Sequence, residues 1–229
     1  MAKKKSPYTR KHLIYTKGVT FIITRQQQHE ALVMRHGANV QEKLDKASVA
    51  ICGLGGLGSN VAIALARCGV GKLHLIDFDE VDITNLNRQQ YDMKYVGVLK
   101  TEALKEEIQR FAPYIEITTD NVKITEENVL ELLKEEYICE AFDKPEQKAM
   151  LTNVVLEKLP DKVLVGASGM AGFGDSNSIL TKKRMKNYYI CGDGVSDISN
   201  TNGLMAPRVM LCAAHQANKI IELIIGEEK

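Results

Sequence analysis

Four glycines in the run Gly53-Leu54-Gly55-Gly56-Leu57-Gly58 follow directly on the apolar stretch Ser48–Cys52. Glycines permit a tight turn and let backbone N–H groups come close to phosphate oxygens. The small-residue segment Leu57–Cys68 behind them reads as a helix, whose N-terminus adds a partial positive charge. A glycine loop after a strand and before a helix is the setting of a nucleotide-phosphate cradle. Asp77 closes the next apolar run, Lys72–Ile76, 24 residues after Gly53. At about that distance (~20 residues), an acid takes a ribose hydroxyl. These features alone fit NAD, FAD or ATP.

The next segment separates those ligands. Asp77 to Gln90 is polar and charged, with Asp79, Asn85 and Arg88 in it, and Lys100 comes 12 residues after Arg88. Asp143 lies just past the strand-like run Tyr137–Phe142. Singly, each is more often a surface charge. Placed together at the carboxyl edge of a sheet beside the loop, they suit a triphosphate: cations neutralise the outer phosphates and an acid holds Mg²⁺. Hydride transfer needs neither.

The elements that must hold these residues alternate. Strand-like Ser48–Cys52, Lys72–Ile76, Ile115–Thr119, Tyr137–Phe142 and Lys162–Ser168 are interleaved with helix-like Leu57–Cys68, Leu99–Phe111, Glu126–Glu136 and Glu146–Leu159, and Met205–Ile225 closes the chain. Near-continuous apolar strands between helices predict a Rossmann-like, doubly wound, mostly parallel sheet with helices on both faces. Gln26–Lys46 adds a helical segment before the first strand. Ser178–Lys182 and Asn187–Cys191 predict a short antiparallel extension.

The chain has 229 residues, 45% hydrophobic and 26% charged, with a net charge of +1. That excludes a disordered chain and a bulk polyanion binder. Residues 1–20 nevertheless hold six Lys and Arg and no acid, so the rest carries 24 positives against 29 acids. The division is a basic N-terminal arm, 1–24, and one domain, 25–229. No apolar run is long enough for a membrane span, and none follows the lysines as in a secretory signal. Five cysteines in irregular spacing, without a C-x-x-C pair, predict a reducing, cytoplasmic setting with no disulfide framework.

Four segments taken together resemble the ThiF/MoeB/HesA family, bacterial relatives of ubiquitin-activating enzymes. They are I-C-G-L-G-G-L-G-S-N, L-I-D-F-D-E-V-D-I-T-N-L-N-R-Q, V-G-V-L-K and E-A-F-D, and the resemblance runs from about Val40 to Gly226. The segments G-M-A-G-F-G and Y-Y-I-C-G-D-G look most like a short ThiF-type branch linked to thiamine (thiazole) biosynthesis. The resemblance implies ATP-dependent adenylation of the C-terminal glycine carboxylate of a ThiS-like sulfur carrier protein, with release of pyrophosphate. It implies a homodimer and a reaction needing neither membrane nor nucleic acid. The alternative within the family is a carboxylate on another acceptor, a molybdopterin carrier or a modified tRNA. Outside it stands a nicotinamide-binding or non-catalytic module that kept the loop.

Carried onto this chain, the resemblance assigns nucleotide contacts to Gly53, Gly55, Gly56, Gly58, Asp77, Asp79, Asn85, Arg88 and Lys100. Asp143 would hold Mg²⁺, and Arg88, Lys100 and Asp143 would carry catalysis. Departures alter some expectations. The paired C-x-x-C of many members is missing, so no zinc is expected. The N-terminal arginine that enters a partner's ATP site has only Arg25 or Arg35 as counterparts. Lys144 follows the acid where Asn is common. Cys191, before Gly192-Asp193-Gly194, is either a partly exposed thiol for a covalent link to the carrier or an inert strand-end thiol.

Overall fold

A computed structural model describes residues 23–201 and 203–226, so all but the last two residues of the predicted basic arm lie outside the described residues. The central apolar runs become strands with the expected bounds, β1 (Ser48–Cys52) and β2 (Lys72–Ile76). β3 (Glu116–Asp120), β4 (Tyr137–Glu140), β5 (Val163–Ala167), β6 (Leu180–Met185) and β7 (Tyr188–Gly192) complete one seven-stranded sheet. Its order is β3-β2-β1-β4-β5-β7-β6. Every pairing is parallel except β6 with β7, the antiparallel extension. The expected Rossmann-like α/β architecture is therefore present.

Alternation along the central strands feeds two cores. Val49 and Ile51 of β1 pack with Leu73, Leu75, Cys139 and Val165 on one face. That face is covered by α3 (Gly56–Cys68), α4 (Lys100–Gln109) and α7 (Ala206–Ile225), through side chains such as Leu65, Leu104 and Cys212. Ala50 and Cys52 join Ile138 and Leu164 on the other face. There α5 (Val129–Leu132) and α6 (Pro145–Lys158) supply Val129, Leu151 and Val155. Each fully buried Leu or Val contributes about 1.5–3 kcal/mol, which fixes strand register as well as stability.

Two expectations change. The helical segment Gln26–Lys46 is two helices, α1 (Arg25–His36) and α2 (Ala38–Lys46), because Gly37 takes a non-helical backbone with φ of +88°. The charged helix expected over Glu126–Glu136 contracts to α5. Asn128 instead builds a turn, accepting from the Thr125 N–H and donating to the Lys123 carbonyl. Glu135 leaves the helix for His74 on β2.

Sheet order sets the site. The chain runs outward from β1 through β2 to β3, then returns to start β4 on the other side of β1. Carboxyl-end loops diverge at such a switch point and open a crevice. Among the described residues no helix is long and apolar enough to cross a membrane.

Candidate nucleotide-binding site

The glycine loop leaves β1 at Gly53, whose N–H donates to the Ile76 carbonyl at the end of β2. Gly53 has φ of +93°, and an added Cβ would stand 2.9 Å from the Ala141 carbonyl oxygen. Only glycine fits there without moving the loop after β4. Gly55 is the N-cap of α3 and supplies no side-chain acceptor. Among the described residues, the first N–H groups of this 13-residue helix therefore have no intrahelical or capping partner. Gly55, Gly56 and Leu57 line a cavity of about 660 Å³ at the switch point. Small-molecule sites span about 300–1,000 Å³.

Asp77 organises this loop from below. Its Oδ2 accepts from the Leu54 N–H at 2.6 Å and its Oδ1 from the Asp79 N–H at 2.8 Å. Burial pushes the carboxyl pKa up, opposed by Lys100 and by those two N–H groups. The Tyr91 hydroxyl donates to the Leu54 carbonyl at 2.7 Å and ties the loop from the other side.

Lys100 begins α4 with its side chain almost wholly buried, and its ammonium lies 2.9 Å from Asp79, which is half exposed. Arg88 reaches the same cavity, with Nη1 donating to the Thr84 carbonyl and the Asn87 side chain. Asn85 lines it too, and its Oδ1 accepts from the Asp82 N–H in a capping box. Asp143 stands exposed in the turn between β4 and α6, with no ion pair or hydrogen bond to another described residue. That turn is set by Glu140, a carboxylate buried at the end of β4. It accepts from the Phe142 N–H at 2.8 Å and from the Lys148 ammonium at 2.9 Å.

Nine of the ten expected site residues thus line one cavity: Gly53, Gly55, Gly56, Asp77, Asp79, Asn85, Arg88, Lys100 and Asp143. Gly58 does not. It sits buried inside α3, where an added Cβ would fall 1.8 Å from the Gly53 carbonyl oxygen. Its job is close packing of helix on loop.

Other lining residues went unread in the sequence: Gln89, Lys148, and a second wall from Ser168–Ala171 and Ser196–Ile198. Glu140 was a legible signal, an acid inside an apolar strand. The second wall carries no comparable mark, being small residues and polar turns.

The partly exposed thiol considered at Cys191 is instead fully buried on β7. Burial pushes its pKa up to about 11, against weaker opposing effects of Thr181 and Lys219. Arg25 lines a separate groove with Ser48, Lys72 and Glu116, the first residues of three parallel strands. It therefore lies at the amino edge of the sheet, away from this cavity.

The curated relatives that match are mostly longer proteins. The adenylyltransferase and sulfurtransferase UBA4 of Lodderomyces elongisporus is 28% identical over 206 residues, covering 86% of this chain and 45% of that protein. This chain thus spans less than half the length of that relative. The tRNA threonylcarbamoyladenosine dehydratase of Haemophilus influenzae is 34% identical over 130 residues, 56% of this chain and 50% of that one. Among solved structures, the E. coli tRNA N6-threonylcarbamoyladenosine dehydratase TcdA in complex with AMP superposes with a TM-score of 0.78. It is 22% identical, covering 91% of this chain and 98% of that chain. E. coli MccB with AMPCPP and MccA superposes at 0.67, with 23% identity over 89% of this chain and 63% of that one. Both likenesses show the shared fold. The model of the ThiF family itself matches residues 27–229, a span holding every cavity residue described above, and the chain belongs to that family.

Proposed function

We propose that this chain adenylates the C-terminal glycine carboxylate of a ThiS-like sulfur carrier protein with ATP, releasing pyrophosphate, in thiamine (thiazole) biosynthesis. The carrying observation is one cavity that joins an uncapped helix N-terminus, the cationic side chains of Arg88 and Lys100, and the exposed Asp143 carboxylate without a partner among the described residues. A nicotinamide dinucleotide would use the helix N-terminus for its pyrophosphate but not the rest of that set, whereas a triphosphate uses all of it.

In this reading the carrier carboxylate oxygen attacks the α-phosphorus of ATP. The bond from that phosphorus to the bridging oxygen breaks, leaving acyl-adenylate and pyrophosphate. The protein supplies position and charge. Backbone N–H groups at the start of α3 cradle phosphate oxygens. Asp77 holds the loop in shape and, with lone pairs beyond its two backbone bonds, accepts a ribose hydroxyl. Arg88 and Lys100 take up charge growing on the leaving pyrophosphate, with Asp79 aiming the Lys100 ammonium and Asn85 shaping the turn that carries Arg88.

Mg²⁺ fits Asp143. The ion is usually held by one or two carboxylates plus substrate phosphates, not by a protein cage. Among the described residues no group of three or more His, Cys, Asp or Glu side chains could hold a metal. Bound there with the triphosphate, Mg²⁺ supplies charge neutralisation at the departing phosphates. A homodimer belongs to the same reading: Arg25 and the exposed Arg35 lie on α1, and Arg25, at the amino edge of the sheet, would meet a nucleotide only in another copy's cavity.

The deciding experiment is ATP–pyrophosphate exchange with a ubiquitin-like carrier ending in Gly-Gly. Exchange that depends on the carrier supports the reading, and its absence with every such carrier removes the substrate class. A second reading, activation of a carboxylate on modified tRNA, draws on the dehydratase likeness and on exposed Lys182, Arg184 and Lys186 on and beside edge strand β6. Salt-sensitive tRNA binding, with exchange stimulated by tRNA instead of carrier, would select it.

A further inference from the structure

Two loops face the nucleotide side of the cavity across the crevice, one following β5 and one following β7. Ser168, Gly169, Met170 and Ala171 come from the first, and Ser196, Asp197 and Ile198 from the second. This wall contributes no cation, so it is not built to grip phosphates. Its one charge is the Asp197 carboxylate, which repels phosphate, and its other residues are uncharged, which suits the uncharged chain that brings a carboxylate to the α-phosphorus.

The wall is zipped by backbone bonds. The Asp193 N–H donates to the Gly169 carbonyl at 2.9 Å, and the Gly194 N–H to the Ser168 carbonyl at 3.0 Å. The Ala171 N–H donates to the Ser196 hydroxyl at 3.1 Å. Asp193 is the hub. Its Oδ1 accepts from the N–H groups of Val195 and Ser196 at 2.9 and 2.8 Å. Gly169 must be glycine, since an added Cβ would lie 2.0 Å from that same oxygen.

The other Asp193 oxygen is held by Arg208 in the first turn of α7. Both side chains are 8% exposed. The guanidinium also donates from Nη1 to the Asp175 carbonyl at 3.0 Å, and its Nε has no partner among the described residues. Burying such a pair costs several kcal/mol per ion, and apolar replacements are often as stable or more so. Stability alone is therefore a poor reason for Arg208. What it does locally is anchor the carboxylate on which both loops are hung.

We propose that the Arg208–Asp193 pair is the positioning device of the acceptor wall: it holds the loops after β5 and β7 in the shape that receives the carboxylate-bearing acceptor, and leaves nucleotide binding alone. The assignment rests on the adenylation reading and adds to it which residues govern acceptor affinity.

The test uses Arg208→Met, Arg208→Lys and Asp193→Asn in the full chain. Three quantities are read: the acceptor KM in carrier-dependent exchange, the Kd for Mg-ATP, and hydrogen exchange at the amides of Ala171, Gly194, Val195 and Ser196. Loss of the charge-assisted hydrogen bond to Asp193, together with those to the Asp175 carbonyl and the Ser178 hydroxyl, predicts that Arg208→Met raises acceptor KM and speeds those amides at least about tenfold, with Arg208→Lys between it and wild type. The Mg-ATP Kd stays within about twofold, since no phosphate-side group is touched. Asp193→Asn, isosteric with the native side chain, carries the same expectations if Arg208→Met does not fold. Unchanged amide protection overturns the positioning role. Equal loss of ATP and acceptor binding overturns its confinement to the acceptor wall. Failure of the wild type to catalyse exchange with any carrier would show first and remove the acceptor assignment with the functional reading, while the amide data still decide whether the pair holds the wall.

Discussion

Lys100 shows how one side chain meets two demands. Its stem is packed at the start of α4, and its ammonium is steadied by Asp79 at 2.9 Å, while in the proposed reaction its two further N–H donors would meet phosphate oxygens. Removing a positioned donor that meets transition-state charge costs about 100-fold or more in turnover. Lys100→Ala should lower pyrophosphate exchange by at least that factor. Because Asp79 is half exposed and stays solvated, melting should shift by no more than about 3 °C. Normal exchange in this variant would remove Lys100 from the mechanism. Gly58 tests packing instead of chemistry. A methyl group there collides with backbone, the Gly53 carbonyl oxygen, which cannot swing aside as a side chain could. Gly58→Ala should destabilise by about 1–3 kcal/mol, the usual cost of overpacking, in urea denaturation. Mg-ATP affinity should fall with it, since the displaced loop is the one carrying the N–H donors.

At the scale of elements, the strands that carry the site were the most legible part of the chain. β1 and β2 match their apolar runs residue for residue, because burial on both faces leaves no polar alternation to blur their ends. Legibility fails where a side chain competes with the helix, as Asn128 and Glu135 do around α5. It fails again at the second wall, where the deciding features are contacts between loops some 25 residues apart, such as Ala171 to Ser196. Asp193 and Arg208 look like ordinary surface charges until β7 and α7 bring them together. Cys191 is the reverse case, a residue whose flexible-looking neighbours suggested access while β7 places its thiol in the core. With a pKa near 11, it holds little thiolate at neutral pH. A maleimide reagent should label the partly exposed Cys68 well before Cys191, and Cys191→Ala should keep exchange within about twofold of wild type. Preferential labelling of Cys191, or abolished exchange, would restore it as a candidate for covalent chemistry.

The whole molecule ties sheet stability to protonation through a group that does not itself line the crevice. His74 on β2 lies between Asp120, at the end of β3, and Glu135, just before β4. Its Nε2 is 2.7 Å from the Asp120 carboxylate and its Nδ1 3.1 Å from the Glu135 carboxylate. Burial alone pulls the imidazole pKa down, but the hydrogen bonds and charges of Glu135 and Asp120 outweigh it and leave the value raised. The same contact holds the Glu135 carboxyl below its ordinary value despite burial. Only the protonated ring donates from both nitrogens, so only it satisfies both carboxylates at once. The folded pKa lies above the unfolded value near 6.5, so this stabilisation is complete below about pH 6.5 and is lost as pH rises through the folded pKa. Above it the neutral ring keeps one N–H, and one of the two carboxylates loses its hydrogen bond to the ring. Melting temperature should therefore decline as pH rises from about 6 through the folded pKa, at constant ionic strength. His74→Gln should melt lower at pH 6 and show a flatter profile over the same range. Equal slopes for wild type and variant would mean that His74 titrates alike in the folded and unfolded chain, and the bridge across β2, β3 and β4 would lose its electrostatic role.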